Sequence, residues 1–377
     1  MQKVDYLLIG PAYPYRGGIA NTQDELALSL IKLGKKVKLI TFKKLYPNFL
    51  FPGGNQFTLE TKPDVLKINR TIHSYNPFNW IISAKKINKI NPKVIIFRYY
   101  HPLLALCYYG IIKNLNKKIK KVALVDNWKH HEPKFYDKIL NKLFSSKIDS
   151  YITLSDNVAQ ELKKQLNSNV FSGFHPISKN LPKKISKSKA RKEVGWDIDA
   201  KIVLFYGLIR PYKGLDTLLK AFTKSPLNLL NIKLAIVGEF YEPISKYIKI
   251  IKELKLQDKI YLIPGFADKK STQLYFSSSD LAALTYKSAT QSGVIPLAYH
   301  FKIPILVTNL LGLKTPIVND ETGLVSSQDP KDISIKLVEM LKKDRNGIFI
   351  KNIKKSENKY SWEEYSKQII KFIDKIN

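Results

Sequence analysis

The run GLIRPYKGLDTLLKAF places Arg210 and Lys213 three residues apart, between Gly207 and Gly214 and just ahead of a helical pattern. Two cations leaving a strand and entering a helix make a clamp for phosphate, since cationic side chains and helix N-termini both attract anions. Arg210 stands out because the chain has only six arginines: Arg16, Arg70, Arg98, Arg191, Arg210 and Arg345. Three other segments offer polar groups. GPAYPYRGGIAN brings Gly17 and Gly18 to a helix start, where backbone N–H groups can approach an anion. The pattern is not GxGxxG, so it does not announce a redox dinucleotide, and a ligand-free turn is the alternative. TYKSATQSGVIPLAYHF sets Thr290, Gln291, Ser292, Gly293 and Val294 before a helix. Their hydroxyls and N–H groups suit an oxyanion, and equally a plain helix cap. VDNWKHHEP gathers Asp126, His130, His131 and Glu132. Adjacent residues do not share a helical face and HExxH is absent, so no metal site is expected there. A polar active-site loop fits better.

Each of these segments follows an apolar run of strand length. Val4–Ile9 precedes the glycine pair, and a helical pattern over Ile19–Leu33 ends at Gly34. Lys36–Phe42, Val94–Phe97, Val122–Val125 and Tyr151–Leu154 repeat the strand pattern. Such uninterrupted runs predict parallel strands buried on both faces. The lysine-rich segment Ser178–Lys192 reads as an interdomain linker running into a short helix. Alternation then restarts, with strands at Ile202–Tyr206, Leu234–Val237, Ile260–Ile263, Leu281–Leu284 and Ile305–Thr308. Helical patterns fall between them. Two successive doubly wound α/β domains are predicted, with ligands outside the carboxyl ends of the strands.

The chain has 377 residues, with 63 Lys+Arg against 31 Asp+Glu and a formal net charge of +32. That balance points to a polyanionic partner. Nearly all of the excess is lysine in a sequence rich in Ile and Asn, which an AT-rich coding bias would also produce. No zinc-finger, helix-turn-helix or RNP signature accompanies it, so nucleic acid is not the expected partner. The lone Cys107 rules out an internal disulfide framework and a cysteine metal site. The N-terminal apolar run is too short for a signal peptide, and Ile95–Ile112 contains Arg98 and His101 and reads as strand plus helix. A cytoplasmic protein is expected.

The order of the glycine-pair loop, RPYKG, VGEF, SATQSG and TGL resembles retaining glycosyltransferases of the GT-B fold, glycosyltransferase family 4. The resemblance covers nearly the whole chain and is strongest from Phe205 to Leu324. YGLIRPYKGLDTLLKAF is its most specific piece; Ile236–Phe240, Tyr275–Tyr286, Ile303–Leu313 and Glu321–Val325 follow in the family's order. Ser155–Leu162 and Phe174–Ile177 also fit.

The resemblance implies two Rossmann-like domains facing a cleft: an acceptor domain over 1–180, a donor domain over 181–359, and a terminal helix in 360–377 crossing back to the first. It implies a nucleotide-sugar donor, a glycan or lipid-linked acceptor and no bound metal or other cofactor. Arg210 and Lys213 would hold the diphosphate. Gly17 and Gly18 would approach it from the first domain. Glu239 and Phe266 would border the nucleoside, and Thr290 to Val294 would meet the phosphates and sugar. Many members carry two glutamates, eight positions apart, where this chain has Thr290 and Ala298. Members often have a histidine where Asp126 stands, so Asp126 or His131 would contact acceptor or sugar. The missing carboxylates leave a catalytically degenerate scaffold as the alternative to an enzyme of cell-surface polysaccharide or glycolipid assembly. The diffuse lysine charge would suit visits to an anionic membrane surface.

Overall fold

The computed structural model describes residues 3–45, 56–58, 61, 64–129, 134–178 and 181–376. The chain forms two compact units, Met1–Pro176 with Ser361–Asn377, and Ile177–Tyr360.

The first unit is built on β1 (Tyr6–Ile9), β2 (Val37–Lys44), β3 (Ile68–His73), β4 (Val94–Tyr99), β5 (Lys120–Val125), β6 (Ser150–Thr153) and β7 (Asn169–Phe171). They form one parallel sheet in the order β3-β2-β1-β4-β5-β6-β7. Alternate residues of β1 feed opposite cores: Leu7 and Ile9 one side, Tyr6 and Leu8 the other. The Leu7 side is covered by α2 (Pro77–Ile90), α3 (Leu104–Ile112), α4 (Asp137–Ser145) and α5 (Asp156–Gln165). The Tyr6 side is covered by α1 (Gly18–Lys32) and by α14 (Trp362–Lys375), the last helix of the chain.

Helix α14 starts cleanly because the Ser361 hydroxyl accepts the Glu364 N–H, with Glu363 and Glu364 in the first turn. Its apolar stripe, Trp362, Tyr365, Ile369 and Ile373, is buried in the first unit's core. Trp362 Nε1 donates to Glu25 Oε2 at 2.8 Å, Ser366 Oγ to Ser29 Oγ at 2.8 Å, and Tyr365 OH to Thr153 O at 3.0 Å. Cys107 is buried in α3, where burial pushes its thiol pKa up.

The second unit contains β8 (Lys201–Tyr206), β9 (Ile232–Gly238), β10 (Ile260–Pro264), β11 (Leu281–Leu284), β12 (Ile305–Thr308) and β13 (Gly323–Ser326). They form a parallel sheet ordered β10-β9-β8-β11-β12-β13. Its helices are α6 (Lys187–Val194), α7 (Leu215–Ala221), α8 (Ile244–Glu253), α9 (Lys269–Ser278), α10 (Val294–His300), α11 (Leu311–Asn319), α12 (Pro330–Leu341) and α13 (Lys343–Ser356). The central strands are short aliphatic runs buried on both faces, as the sequence predicts. Three strands were not predicted, β3, β7 and β13, and each is partly exposed.

The segment expected to be a linker is largely built into the second unit. Ile185 N donates to Ser277 Oγ, and Gln273 Nε2 to Lys183 O. Arg191 is buried in α6. It reaches Asp280 Oδ2 at 2.8 Å, and the carbonyls of Ser278, Asp197 and Ile198. A lysine-rich composition hid this anchor, because one buried arginine holds the segment in place.

Candidate active site

In the second sheet the strand order reverses between β8 and β11, the place where doubly wound sheets open a crevice beyond their carboxyl ends. The loops leaving those two strands are Gly207–Gly214 and Thr285–Gly293. They carry Arg210 and Lys213 on one side and Thr290, Gln291, Ser292 and Gly293 on the other.

The two loops are locked together. Lys287 N donates to Tyr212 O at 2.6 Å, and Thr285 Oγ1 donates to Gly214 O at 3.0 Å. Gly214 has φ 68°, and a Cβ there would lie 2.0 Å from Thr285 O, so only glycine fits. Thr308 Oγ1 steadies the second loop from β12 by donating to Tyr286 O at 2.6 Å.

Lys213 ends a short 3₁₀ turn, Pro211–Lys213, and is only 7% exposed. Its ammonium lies over the Tyr286 ring, 5.4 Å from the centroid. Among the described residues it makes no ion pair, the condition of a cation set to receive an anion. Burial pushes its pKa down to about 8; Tyr212 opposes the fall and Arg210 adds to it. Gly207 leaves room for the ammonium, since a Cβ there would sit 3.1 Å from Nζ. The Arg210 guanidinium lies 4.5 Å from the centre of the Tyr241 ring. Tyr241 and Tyr286, which seat the two cations, were missed in the sequence; both stand just beyond a strand end, and nothing in their spacing marks them.

Two neighbouring loops extend this edge. Ile209 N donates to Glu239 O at 2.8 Å, and Tyr241 N to Ile209 O at 3.0 Å, so the Glu239 segment is bound to the Arg210 segment. Gly265 N donates to Gly238 O at 2.9 Å, which brings the exposed Phe266 alongside. Ser292 Oγ is 3.1 Å from Tyr286 OH and accepts Val294 N at 3.3 Å. Gly293 is the N-cap residue of α10, which begins at Val294. Thr290 is buried beside Gly312, whose Cβ, if present, would lie 2.1 Å from Thr290 O. Ala298 is fully buried within α10.

Gly17, Gly18 and Asp126 belong to the first unit. Gly17 has φ 105° and opens α1, and a Cβ on Gly18 would meet nothing within 4 Å. Asp126 follows β5 and is buried. Its carboxylate is gripped by Arg98: Nε donates to Oδ2 at 2.5 Å and Nη2 to Oδ1 at 2.6 Å. Arg98 Nη2 also donates to Thr22 Oγ1 at 2.9 Å, and Thr22 Oγ1 donates to Gly18 O at 2.7 Å. Asp126 and the glycine turn, far apart in sequence, are thereby joined through Arg98. Nearby, burial drops the His175 pKa to about 4, so its ring is neutral at pH 7. Scarcity of arginine could have flagged Arg98, and nothing flagged His175 beyond its motif. His130, His131 and Glu132 lie outside the described residues.

Residues 186–367 match the family described as Glycosyl transferases group 1. This stretch is a group 1 glycosyltransferase domain. The matched stretch contains every second-unit residue of this site. A curated relative, D-inositol 3-phosphate glycosyltransferase 2 of Catenulispora acidiphila, is 26% identical over 165 residues, 41% of this chain and 38% of that protein. The curated matches span 32 to 58% of the relatives' lengths. Sucrose-phosphate synthase from Thermosynechococcus elongatus superposes with a TM-score of 0.78 at 16% identity, over 99% of each chain. An Anabaena protein in complex with UDP-glucose gives a TM-score of 0.72 at 13% identity, over 98% of this chain and 99% of that one. The fold is that of GT-B glycosyltransferases.

Proposed function

We propose that the chain is a retaining glycosyltransferase that moves a sugar from a nucleotide-sugar to a glycan or lipid-linked acceptor in cell-surface polysaccharide or glycolipid assembly. The observation that carries this reading is Lys213, a buried ammonium without an anionic partner among the described residues, set with Arg210 at the strand-order reversal of a group 1 domain.

As the bond from the sugar carbon to the phosphate oxygen breaks, negative charge grows on the departing diphosphate. Lys213 and Arg210 neutralise it from fixed positions, in a site where burial strengthens the attraction. They take the part a metal ion would otherwise play, so no bound metal is invoked. The acceptor hydroxyl attacks on the face that the diphosphate leaves, passing its proton to a phosphate oxygen. Thr290 and Ser292 offer hydroxyls to the sugar and phosphates, Gly293 and Val294 their backbone N–H groups, and Gln291 its amide. Glu239 and Phe266 border the nucleoside, and Phe266 packs on the base. Gly17 and Gly18 supply further backbone donors. On the acceptor side Asp126, which Arg98 holds in place, or His131 contacts the acceptor or sugar.

UDP is the first nucleotide to test, because the Anabaena neighbour holds UDP-glucose. Thermal shift with UDP, GDP and ADP is expected to show stabilisation by one of them, about 2.7 kcal/mol at a hundredfold excess over Kd. Turnover of the matching sugar donors and the anomeric configuration of the product complete the test. No stabilisation by any nucleoside diphosphate would refute the reading.

The pH dependence should carry the mark of Lys213. Its folded pKa is about 8, and binding of a diphosphate needs the ammonium. Below pH 8 the free protein already holds that proton. Above it, each unit of pH is expected to raise the Kd for the nucleoside diphosphate by up to about tenfold. Isothermal titration between pH 7 and pH 10 would read this, with proton uptake on binding above pH 8. A flat Kd across that range would remove Lys213 from the binding step.

A further inference from the structure

Three of the four helices on the Leu7 side of the first sheet, α2, α3 and α4, present an unusual outer face. Phe78 and Ile82 of α2, Leu103 and Leu106 at the start of α3, and Phe135 and Ile139 at the start of α4 are all exposed, Phe78 by 80% and Phe135 by 91%. Helix α2 packs on α3, and α3 on α4, so these side chains belong to neighbouring elements of one layer. All six lie in the first two turns of their helices or just before them. In a parallel sheet the chain enters each helix at the strands' carboxyl edge. The apolar band therefore lies toward the same edge of the first unit as Gly17 and Asp126.

Lysines extend this band along α2 and α4. Lys85, Lys86 and Lys89 continue the exposed face of α2, and Lys138 and Lys142 that of α4. None of these five makes an ion pair among the described residues. From residue 65 to residue 125 the sequence has twelve Lys+Arg and no Asp or Glu.

We infer that the outer face of α2, α3 and α4 docks on an anionic lipid bilayer, with the apolar band inserted among the headgroups and the lysines against them. Exposed large apolar side chains adjoined by unpaired cations match a surface that is apolar within and anionic at its boundary. A second copy of the chain fits poorly, since a two-fold contact would bring these lysines against themselves. A nucleic-acid backbone would answer the lysines but leave Phe78 and Phe135 in water. Docking would hold the carboxyl edge of the first sheet at the membrane, where a lipid-linked acceptor presents its hydroxyl. That purpose rests on the acceptor proposed above; the surface itself does not.

The test is co-sedimentation of the full chain with vesicles of equal parts phosphatidylcholine and phosphatidylglycerol, against phosphatidylcholine alone. Wild type should bind the anionic vesicles and weaken as salt rises. Phe78→Glu with Phe135→Glu should reduce binding more than about tenfold. Lys85→Glu with Lys86→Glu should do the same. Leu229→Glu, an exposed apolar site of the second unit, should change nothing. All these positions are exposed, so folding is not at stake, and circular dichroism checks it. The inference is overturned if wild type ignores anionic vesicles at low salt, or if the phenylalanine pair binds them as wild type does. It is equally overturned if that pair dissolves a dimer seen by analytical ultracentrifugation, or abolishes binding to random-sequence DNA. Vesicle binding is read without donor and donor hydrolysis without vesicles, so this surface and the transferase reading can each fail alone.

Discussion

Replacing Lys213 by methionine is expected to slow sugar transfer by about 10²–10³-fold while leaving the protein as stable as before, or more so. Methionine keeps the stem and removes only the charge. The loss of rate follows from what the ammonium faces: charge that grows on the diphosphate as it departs, in a site where burial magnifies each cation. About 1.4 kcal/mol of lost transition-state stabilisation is tenfold in rate, so the expected loss is about 3–4 kcal/mol. The gain in stability follows from the resting protein, where Lys213 is buried without an acidic partner among the described residues.

The folded pKa of Lys213, about 8, lies below its ordinary 10.5. The unfolded chain therefore binds more protons between those values, and stability from this residue rises with pH through that window. The penalty is full below pH 8 and fades toward pH 10.5. The melting temperature of Lys213→Met should exceed that of wild type most at pH 7, and the two should converge by pH 10. Turnover within threefold of wild type at saturating donor would dismiss the clamp.

A second large effect is expected from Asp126→Ala, this time on stability. Removing the carboxylate leaves Arg98, 1% exposed, as an uncompensated buried cation. Breaking such a pair costs about 3–5 kcal/mol. For a unit of this size that is roughly a 10 °C fall in its melting temperature. Arg98→Met with Asp126→Leu removes both charges and should recover most of the loss. The pair of variants separates two roles for Asp126. If the double variant is stable and still transfers sugar, Asp126 is a support for the Gly18 turn. If it is stable and inactive, Asp126 or Arg98 meets the substrate.

How much of this was legible depended on what each residue type reports. The central strands β1, β4, β5, β8, β9, β11 and β12 were readable because burial on both faces demands unbroken aliphatic runs. β3, β7 and β13 escaped because partial exposure admits polar residues and breaks the run. Arg210 was readable through rarity, set between two glycines after a strand. The same rarity applied to Arg98 and Arg191, and both turned out to be buried centres of ion pairs with Asp126 and Asp280. An uncommon arginine thus marks a place where planar, multidentate bonding is needed, in a site or in a core. Tyr241 and Tyr286 could not be read, because their contacts with the cations exist only after three separate loops are drawn to one sheet edge. The exposed apolar residues of α2, α3 and α4 could not be read, because in sequence an apolar helical residue looks the same whether it faces a core or water.

The seating of α14 also has a consequence for how the chain is made. Trp362, Tyr365, Ile369 and Ile373 belong to the core of the first unit, yet they are translated after the whole of Ile177–Tyr360. At a ribosomal rate of about 5–20 residues per second, that interval is roughly 10–40 s. Throughout it the newly made first sheet has one flank open, with the Glu25 and Ser29 side of α1 awaiting Trp362 and Ser366. The second unit, contiguous in sequence, can close first although it is begun later. Birth order and completion order are therefore reversed, and the open flank is the surface on which a nascent chain of this protein most needs shelter.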